Sequence, residues 1–343
     1  MSGENRMPNR YALDIEHAIK HALKDTPPFM RGVISYHFGW VDQNFEPADF
    51  VKGKLLRPTL CLLVFEALMG SYRSALPVAA AIEMIHNFTL IHDDIEDNDL
   101  ERHGRPTAWA IWGKPLAINI GDYLYTLAFH CLHQLDITQI PSERVLSVLR
   151  LVSESCLILT TGQDLDLRFE QVQDVSTEMY LDMVYRKTGA LLEAAVVAGA
   201  LLGTGDSEIV ENYRRFAHNI GIAFQVRDDI LGIWGNSATT GKSSDNDLRR
   251  KKKTLPIIYT LNELSDPSKK TLKMFYNAPD PLSDEQIQVV RDCLEQVGAY
   301  QYAQKLADHY IHKAFTALNT ISISNQAQSE LESIARFLVD RTH

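Results

Sequence analysis

Residues 83 to 97 read Glu83-Met84-Ile85-His86-Asn87-Phe88-Thr89-Leu90-Ile91-His92-Asp93-Asp94-Ile95-Glu96-Asp97, an apolar helix-like run that ends in four carboxylates. A second run ends in a similar way, at Asp228-Asp229-Ile230-Leu231-Gly232. On a helix, residues four apart are offset by only about 40° around the axis, so Asp93 and Asp97 share a face. Carboxylates so placed repel unless cations lie between them. Hard divalent ions with oxygen ligands suit the arrangement, Mg²⁺ above all, and Mg²⁺ ordinarily shares its coordination with a substrate phosphate. The second cluster would then supply the opposing wall of one metal-diphosphate site. Taken alone, the same acids also read as a solvated helix end, because charge runs usually are solvated.

Outward from these clusters, most long segments repeat apolar residues at three- and four-residue spacing, as in Leu55, Leu56, Leu60, Leu63, Val64 and Leu68, or Val145, Leu146, Leu149, Val152 and Cys156. Alternating strand patterns are scarce. Helix openings are marked at Pro141-Ser142-Glu143, at Ser176 with Met179, and at Ser283-Asp284-Glu285. The pattern predicts an all-α, bundle-like single domain over 1–343, with residues 1–10 (MSGENRMPNR) as a frayed polar tail. Asn98 to Gly113 and Gly235 to Lys253 are polar and read as loops. Both follow carboxylates, as expected when loops at one end of a rigid scaffold carry the chemistry.

A 45% hydrophobic and 23% charged chain of 343 residues has enough apolar matter for a substantial core. Its formal charge of −10 argues against a general nucleic-acid binder, which needs a basic surface. The four cysteines, Cys61, Cys131, Cys156 and Cys293, are scattered, which favours buried thiols and a reducing, cytoplasmic location. Leu191 to Gly203 falls short of the roughly 20 residues that span a bilayer and carries Glu193, so it reads as a core helix rather than a membrane anchor.

Several cations and polar groups accompany the acids. His86 lies two turns before Asp93 on the same face, where it is either a satisfied core histidine or a donor to a phosphate oxygen. Lys54 and Arg57, three apart, are either a surface pair or a grip on one anion if they share a helix surface. Arg102 and Lys187 are ambiguous singly, and Gln225 stands one turn before Asp229. The run Arg249 to Lys253 is either a nucleic-acid patch or, more economically in an acidic chain, a neutralising lid over phosphate.

Read together, these residues resemble the trans-type isoprenyl diphosphate synthases from about Lys52 to Pro256. The elements occur in that family's order: Gly53-Lys54-x-x-Arg57-Pro58; Asp93-Asp94-x-x-Asp97 followed by Arg102-x-Gly104-x-Pro106-Thr107; Gly162-Gln163 with Asp166; Lys187-Thr188-Gly189; Phe224-Gln225-x-x-Asp228-Asp229; and Gly241-Lys242 leading to Lys252-x-Thr254-Leu255-Pro256. The resemblance implies an all-α homodimer of the isoprenoid synthase type, with helices around a deep central apolar pocket. It implies transfer of an allylic prenyl group to isopentenyl diphosphate, with three Mg²⁺ ions per active site. Asp93 and Asp97 would hold metal ions on the allylic diphosphate, and Asp228 a further one, supported by Asp229. Arg102, Lys187 and Lys242 would neutralise the departing diphosphate, with Lys252 in the same loop. Lys54, Arg57 and His86 would bind isopentenyl diphosphate, and Thr188 and Gln225 would turn oxygen dipoles toward the allylic cation.

Three positions depart from the family pattern. Gly232 replaces the last aspartate of the second cluster, His103 replaces a second arginine that contacts isopentenyl diphosphate, and Leu55 replaces a common arginine. The bulky Phe88, five before Asp93, with Thr89 four before and no insertion in the cluster, resembles the geranylgeranyl diphosphate synthases, with farnesyl and longer-chain synthases as competitors. Two other readings are a class I terpene cyclase, against which Lys54, Arg57 and His86 speak, and a catalytically silent regulatory subunit, which Gly232 and His103 would favour.

Overall fold

The computed structural model describes residues 9–48, 50–51, 53–169, 172, 174–235 and 246–339. These divide into two compact units. One is built from the chain up to Val152 with Ala195–Asp206 and Ile323–Leu331, the other from Ser153–Ala194, Ser207–Ser322 and the chain from Glu332 on.

The first unit contains α1 (Ala12–Ala22), α2 (Pro28–His37), α3 (Leu56–Met69) and α4 (Leu76–Glu96), then a hairpin of β1 (Glu101–Arg102) and β2 (Arg105–Pro106), α5 (Ala108–Trp112) and α6 (Lys114–Leu132). Its centre is α4, which packs on α6, α3 and α1. Proline in the first turn sets the helix start without losing a hydrogen bond. Val78 to Met84 are then buried on every side, the mark of a core helix rather than a surface one. Along α3, Leu60 to Phe65 are buried in succession, and Gly70 closes the helix in the left-handed conformation (φ 73°).

α7 (Ser142–Phe169) supplies residues to both units. The second unit continues with α8 (Thr177–Val184), a π-helical turn (Tyr185–Gly189), the shared α9 (Ala190–Gly203), α10 (Ser207–Trp234), α11 (Asn246–Arg249), α12 (Leu255–Glu263), α13 (Ser268–Asn277), α14 (Asp284–Gln296) and α15 (Ala299–Asn319); α16 (Gln326–Val339) is again shared. α10 lies along α15, where Ile222, Val226 and Ile230 share one core cluster with the small Ala303 and Ala307.

The expected caps are in place. Ser176 accepts the Met179 N–H, and Ser283 forms a reciprocal capping box with Gln286. Leu191 to Ala200 are buried throughout, and all four cysteines are buried free thiols. Within the first unit, Gly199 has no room for a side chain, since a Cβ would stand 2.4 Å from the Cys61 carbonyl oxygen. By length and composition alone, α7 and the segment Arg73–Glu96 are apolar enough to cross a membrane; 61% of the latter's apolar window is buried in the fold.

The first expected loop is more ordered than its composition suggested. Arg102 and Arg105 pair across His103 and Gly104, both at positive φ (53° and 72°), as a two-residue hairpin of the I′ kind requires. α5 follows at once. Of the second expected loop, residues 236–245 lie outside the described residues, and Asn246–Arg249 form the short α11.

Candidate active site

In the first unit a polar stripe climbs the otherwise apolar α4 toward its acidic end. Asn87 donates to the Glu83 carboxylate at 2.9 Å, and Arg57 Nη1 lies 3.2 Å from His86 Nε2. Burial pushes the Glu83 carboxyl up to about 7 against the pull of Arg57. Burial and then the Arg57 charge hold His86 well below the usual imidazole value, and His37 falls to about 3 for the same first reason, with Arg102 and Arg105 adding to it. Both imidazoles are therefore neutral near pH 7, and each still has one ring N–H to donate. Arg57 Nε and the Nε and Nη1 of Arg105 are buried without a hydrogen-bond partner. Buried N–H donors left unmade are expensive, so such groups mark a place for an anion or water.

The expectation that Lys54 and Arg57 share a helix surface fails. Leu55 takes a left-handed φ of 51° as the N-cap of α3, so Lys54 precedes the helix and is exposed while Arg57 lies in its first turn. Arg105 is a member of this region that no sequence motif marks. Its guanidinium stands 4.6 Å from the Tyr36 ring and 4.4 Å from the Phe50 ring and donates to the Tyr36 carbonyl, which fastens the hairpin.

At the end of α4, Asp93 is half-buried and Asp97 exposed, while Asp94 is buried and held by Arg102 at 2.6 and 2.8 Å. The C-terminal end of a helix is the negative end of its dipole, so acids there are unfavourable by about 0.3–1 kcal/mol each until a cation arrives. Arg102, expected on diphosphate, thus rests on Asp94, and His103 sits at the exposed hairpin tip. Phe88 packs against His92 and Tyr125 at ring-centroid distances of 4.8 and 5.0 Å, and Tyr125 against Phe129, making an aromatic layer between α4 and α6. Thr89 donates back to the His86 carbonyl.

In the second unit the Lys187-Thr188 element lies on the π-helical turn, a local widening that often marks functional positions. Gly162 of α7 makes room for it, since a Cβ there would meet the Lys187 amide nitrogen at 2.2 Å. Lys187 pairs with Asp166 at 2.6 Å, and Thr188 is part-exposed beside it. Of the second cluster, Asp228 is partly open to solvent whereas Asp229 is buried. Asp229 accepts from the Tyr180 hydroxyl, from Gln225 Nε2 at 3.1 Å and from the Leu255 N–H at 2.9 Å. Burial holds its carboxyl above the ordinary value, with the Lys252 charge the strongest opposing influence. Asp229, expected to support the metal site at Asp228, has both carboxylate oxygens engaged within the protein.

The cationic run is not one lid. Arg249 binds the Leu282 carbonyl and Asp284, Lys251 binds the Ala278 carbonyl, and Lys253 binds the carbonyls of Phe169 and Val172. Lys252 is the member whose charge acts on Asp229. Lys242 lies outside the described residues.

Among the described residues no three His, Cys, Asp or Glu groups converge on one point. The outward carboxylates Asp93, Asp97 and Asp228 offer the hard oxygen donors that suit Mg²⁺, which takes one or two carboxylates and fills its shell with water and phosphate oxygens.

The model of the polyprenyl synthetase family matches residues 39–297. The chain is 35% identical to a (2E,6E)-farnesyl diphosphate synthase of Mycobacterium bovis, over 92% of this chain and 87% of the relative. It is also 35% identical to a geranylgeranyl diphosphate synthase of Mycobacterium tuberculosis, over 90% and 87%. The crystal structure of geranylgeranyl pyrophosphate synthetase from Pyrococcus horikoshii superposes with a TM-score of 0.86 at 31% identity, covering 97% of both chains. Given that breadth of agreement in sequence and in helical architecture, the chain belongs to the polyprenyl synthetase family, has the all-α isoprenoid synthase fold and is a trans-prenyltransferase.

Proposed function

We propose that the enzyme condenses isopentenyl diphosphate with allylic diphosphates in a Mg²⁺-dependent reaction, and that geranylgeranyl diphosphate is its main product. The observation that carries the reading is Arg57, whose buried Nε lacks a partner beside a neutral His86. A terpene cyclase, which acts on one diphosphate, has no use for that second anion site. Asp93 and Asp97 in the first unit, and Asp228 in the second, would each hold Mg²⁺, which supplies the positive charge that stabilises a departing diphosphate.

The chain's own groups do the rest. Arg57, with Lys54 ahead of it, grips the isopentenyl diphosphate, and His86 donates one N–H without adding charge. Lys187, paired with Asp166 at 2.6 Å, neutralises the leaving diphosphate. Gln225 is fixed through its amide N–H on Asp229, which leaves its oxygen to face developing positive charge. The proton lost after condensation goes to the released diphosphate, so no separate base is required.

Product length rests on Phe88, which Tyr125 backs as a stiff floor. Relatives making farnesyl and geranylgeranyl diphosphate are equally similar, so chain length has to be read from that layer. We also propose a cytoplasmic homodimer. Leu146 and Leu157, exposed and eleven residues apart on α7, share a face that a second copy would cover.

The test is to incubate purified protein with Mg²⁺, isopentenyl diphosphate and dimethylallyl, geranyl or farnesyl diphosphate, and to chromatograph the dephosphorylated products. Geranylgeraniol is the expected main product, and Phe88→Ala should lengthen it. No turnover at saturating Mg²⁺ would remove the reading; no shift in Phe88→Ala would remove Phe88 as the floor.

A further inference from the structure

Arg105 opens β2 and reaches back to the end of α2. Its guanidinium faces the Tyr36 and Phe50 rings, and its Nη2 donates to the Tyr36 carbonyl at 3.0 Å. Gly39, at φ 79°, lets the backbone pass close by, with Nη2 3.7 Å from where a Cβ would stand. Nε and Nη1 are buried and have no hydrogen-bond partner. Fastening the hairpin does not account for them. The Tyr36 hydroxyl already donates to the Pro106 carbonyl at 2.7 Å, and Arg102 and Arg105 pair across the turn. A neutral donor would serve the Tyr36 carbonyl as well. The charge and the remaining N–H groups call for an acceptor, and an anion is the strongest one.

The surroundings of Arg105 are short of negative charge. Asp94 is taken by Arg102, and the Glu83 carboxyl, pushed up to about 7 by burial, is in part protonated near pH 7. Burial, then the charges of Arg102 and Arg105, keep His37 neutral; burial, then the charges of Arg57, Arg102 and His37, do the same to His86, whose Nε2 is 3.2 Å from Arg57 Nη1. Asn87 gives its N–H groups to Glu83, which leaves its amide oxygen for His37. Burial also lowers Arg57 and Arg105 from the ordinary arginine value, as it does when positive charge is incompletely compensated. Two arginines from different elements, α3 and β2, thus bring buried unmade donors to one group of imidazoles.

We propose that Arg105 is a second guanidinium of the isopentenyl diphosphate site and binds the diphosphate together with Arg57, alongside His37 and His86. The assignment rests on Arg57 and His86 holding that substrate. Tyr36 and Phe50 fix the plane of the Arg105 guanidinium before the anion arrives, so less side-chain freedom is lost on binding.

The experiment titrates isopentenyl diphosphate into the protein in EDTA by calorimetry, for the wild type, Arg105→Gln, Arg105→Lys and Arg57→Met, below the lowest of their melting temperatures. Arg105→Gln keeps an N–H for the Tyr36 carbonyl and removes the charge, whereas Arg105→Lys keeps the charge and gives up the planar fork. Arg105→Gln should bind more weakly by about tenfold or more, the scale of a hydrogen bond to a charged group. Arg105→Lys should fall between it and the wild type. In assays with Mg²⁺, Arg105→Gln should raise the KM for isopentenyl diphosphate and leave that for the allylic diphosphate unchanged. Wild-type affinity in Arg105→Gln, with Arg57→Met impaired, would overturn the role of Arg105 and leave the site standing. Weaker binding by Arg105→Lys than by Arg105→Gln would also overturn it, since a brace for the hairpin depends on N–H geometry and not on charge. Wild-type affinity in Arg57→Met would instead remove the isopentenyl diphosphate site as read, and the proposal with it.

Discussion

Asp94 and Asp229 hold the same place in their clusters and are both buried, yet Asp94 is gripped by a guanidinium and Asp229 by a hydroxyl, an amide and a backbone N–H. In each cluster the residue before it, Asp93 or Asp228, is the one left open to solvent. Adjacent carboxylates on a helix point about 100° apart, so one can face solvent while the other turns into the protein. What differs is the cost of removing the brace. A buried carboxylate that loses its only cation becomes an uncompensated charge, whereas one that loses a single neutral donor keeps two. The comparison also shows that cations assigned to diphosphate from sequence already rest on carboxylates, Arg102 on Asp94 and Lys187 on Asp166.

The largest contrast between an open and a buried aspartate is expected within the first cluster. Asp93→Asn should cut product formation about a thousandfold, the scale of losing one charge-stabilising group, at an unchanged melting temperature. Asp94→Asn should lower the melting temperature and spare most of the turnover. The reverse pattern would mean that the wrong aspartate has been given the metal. Next in size, Arg102→Met should destabilise the protein by about 3 kcal/mol in urea unfolding, because it strands the buried Asp94 charge. Tyr180→Phe should cost only about 1–2 kcal/mol by the same measurement, since Asp229 keeps Gln225 and Leu255. Equal losses in these two variants would show that the kind of brace does not matter.

Much of the fold was legible because it is local. Ser176, Ser283 and the apolar spacing of α3 and α7 act within a few residues, and the burial of α9 follows from composition. The hairpin was not legible, since two residues per strand leave no alternation and its turn depends on the positive φ of His103. Lys54 was misplaced for a related reason, the left-handed Leu55. Asp93, Asp97, Asp228, Lys187 and Gln225 stood out by motif. Their partners Tyr180 and Asp166, and the pairing of Arg105 with Phe50, lie far apart in the chain and are brought together only by packing. Arg249 to Lys253 looked like one feature because charge is visible in sequence and direction is not. A glutamate in an apolar run, one turn before Asn87, was the one available sign of the buried Glu83 group.

The proposed chemistry depends above all on a site for isopentenyl diphosphate around Arg57 and His86 in the first unit. It is tested most directly by calorimetric titration of isopentenyl diphosphate into the protein in EDTA, without allylic substrate, for the wild type and for Arg57→Met. The account predicts saturable binding to the wild type and an affinity lower by about thirtyfold or more in the variant, as when one partner of a buried charged contact is removed. Absence of binding, or equal binding by a folded Arg57→Met, would contradict it.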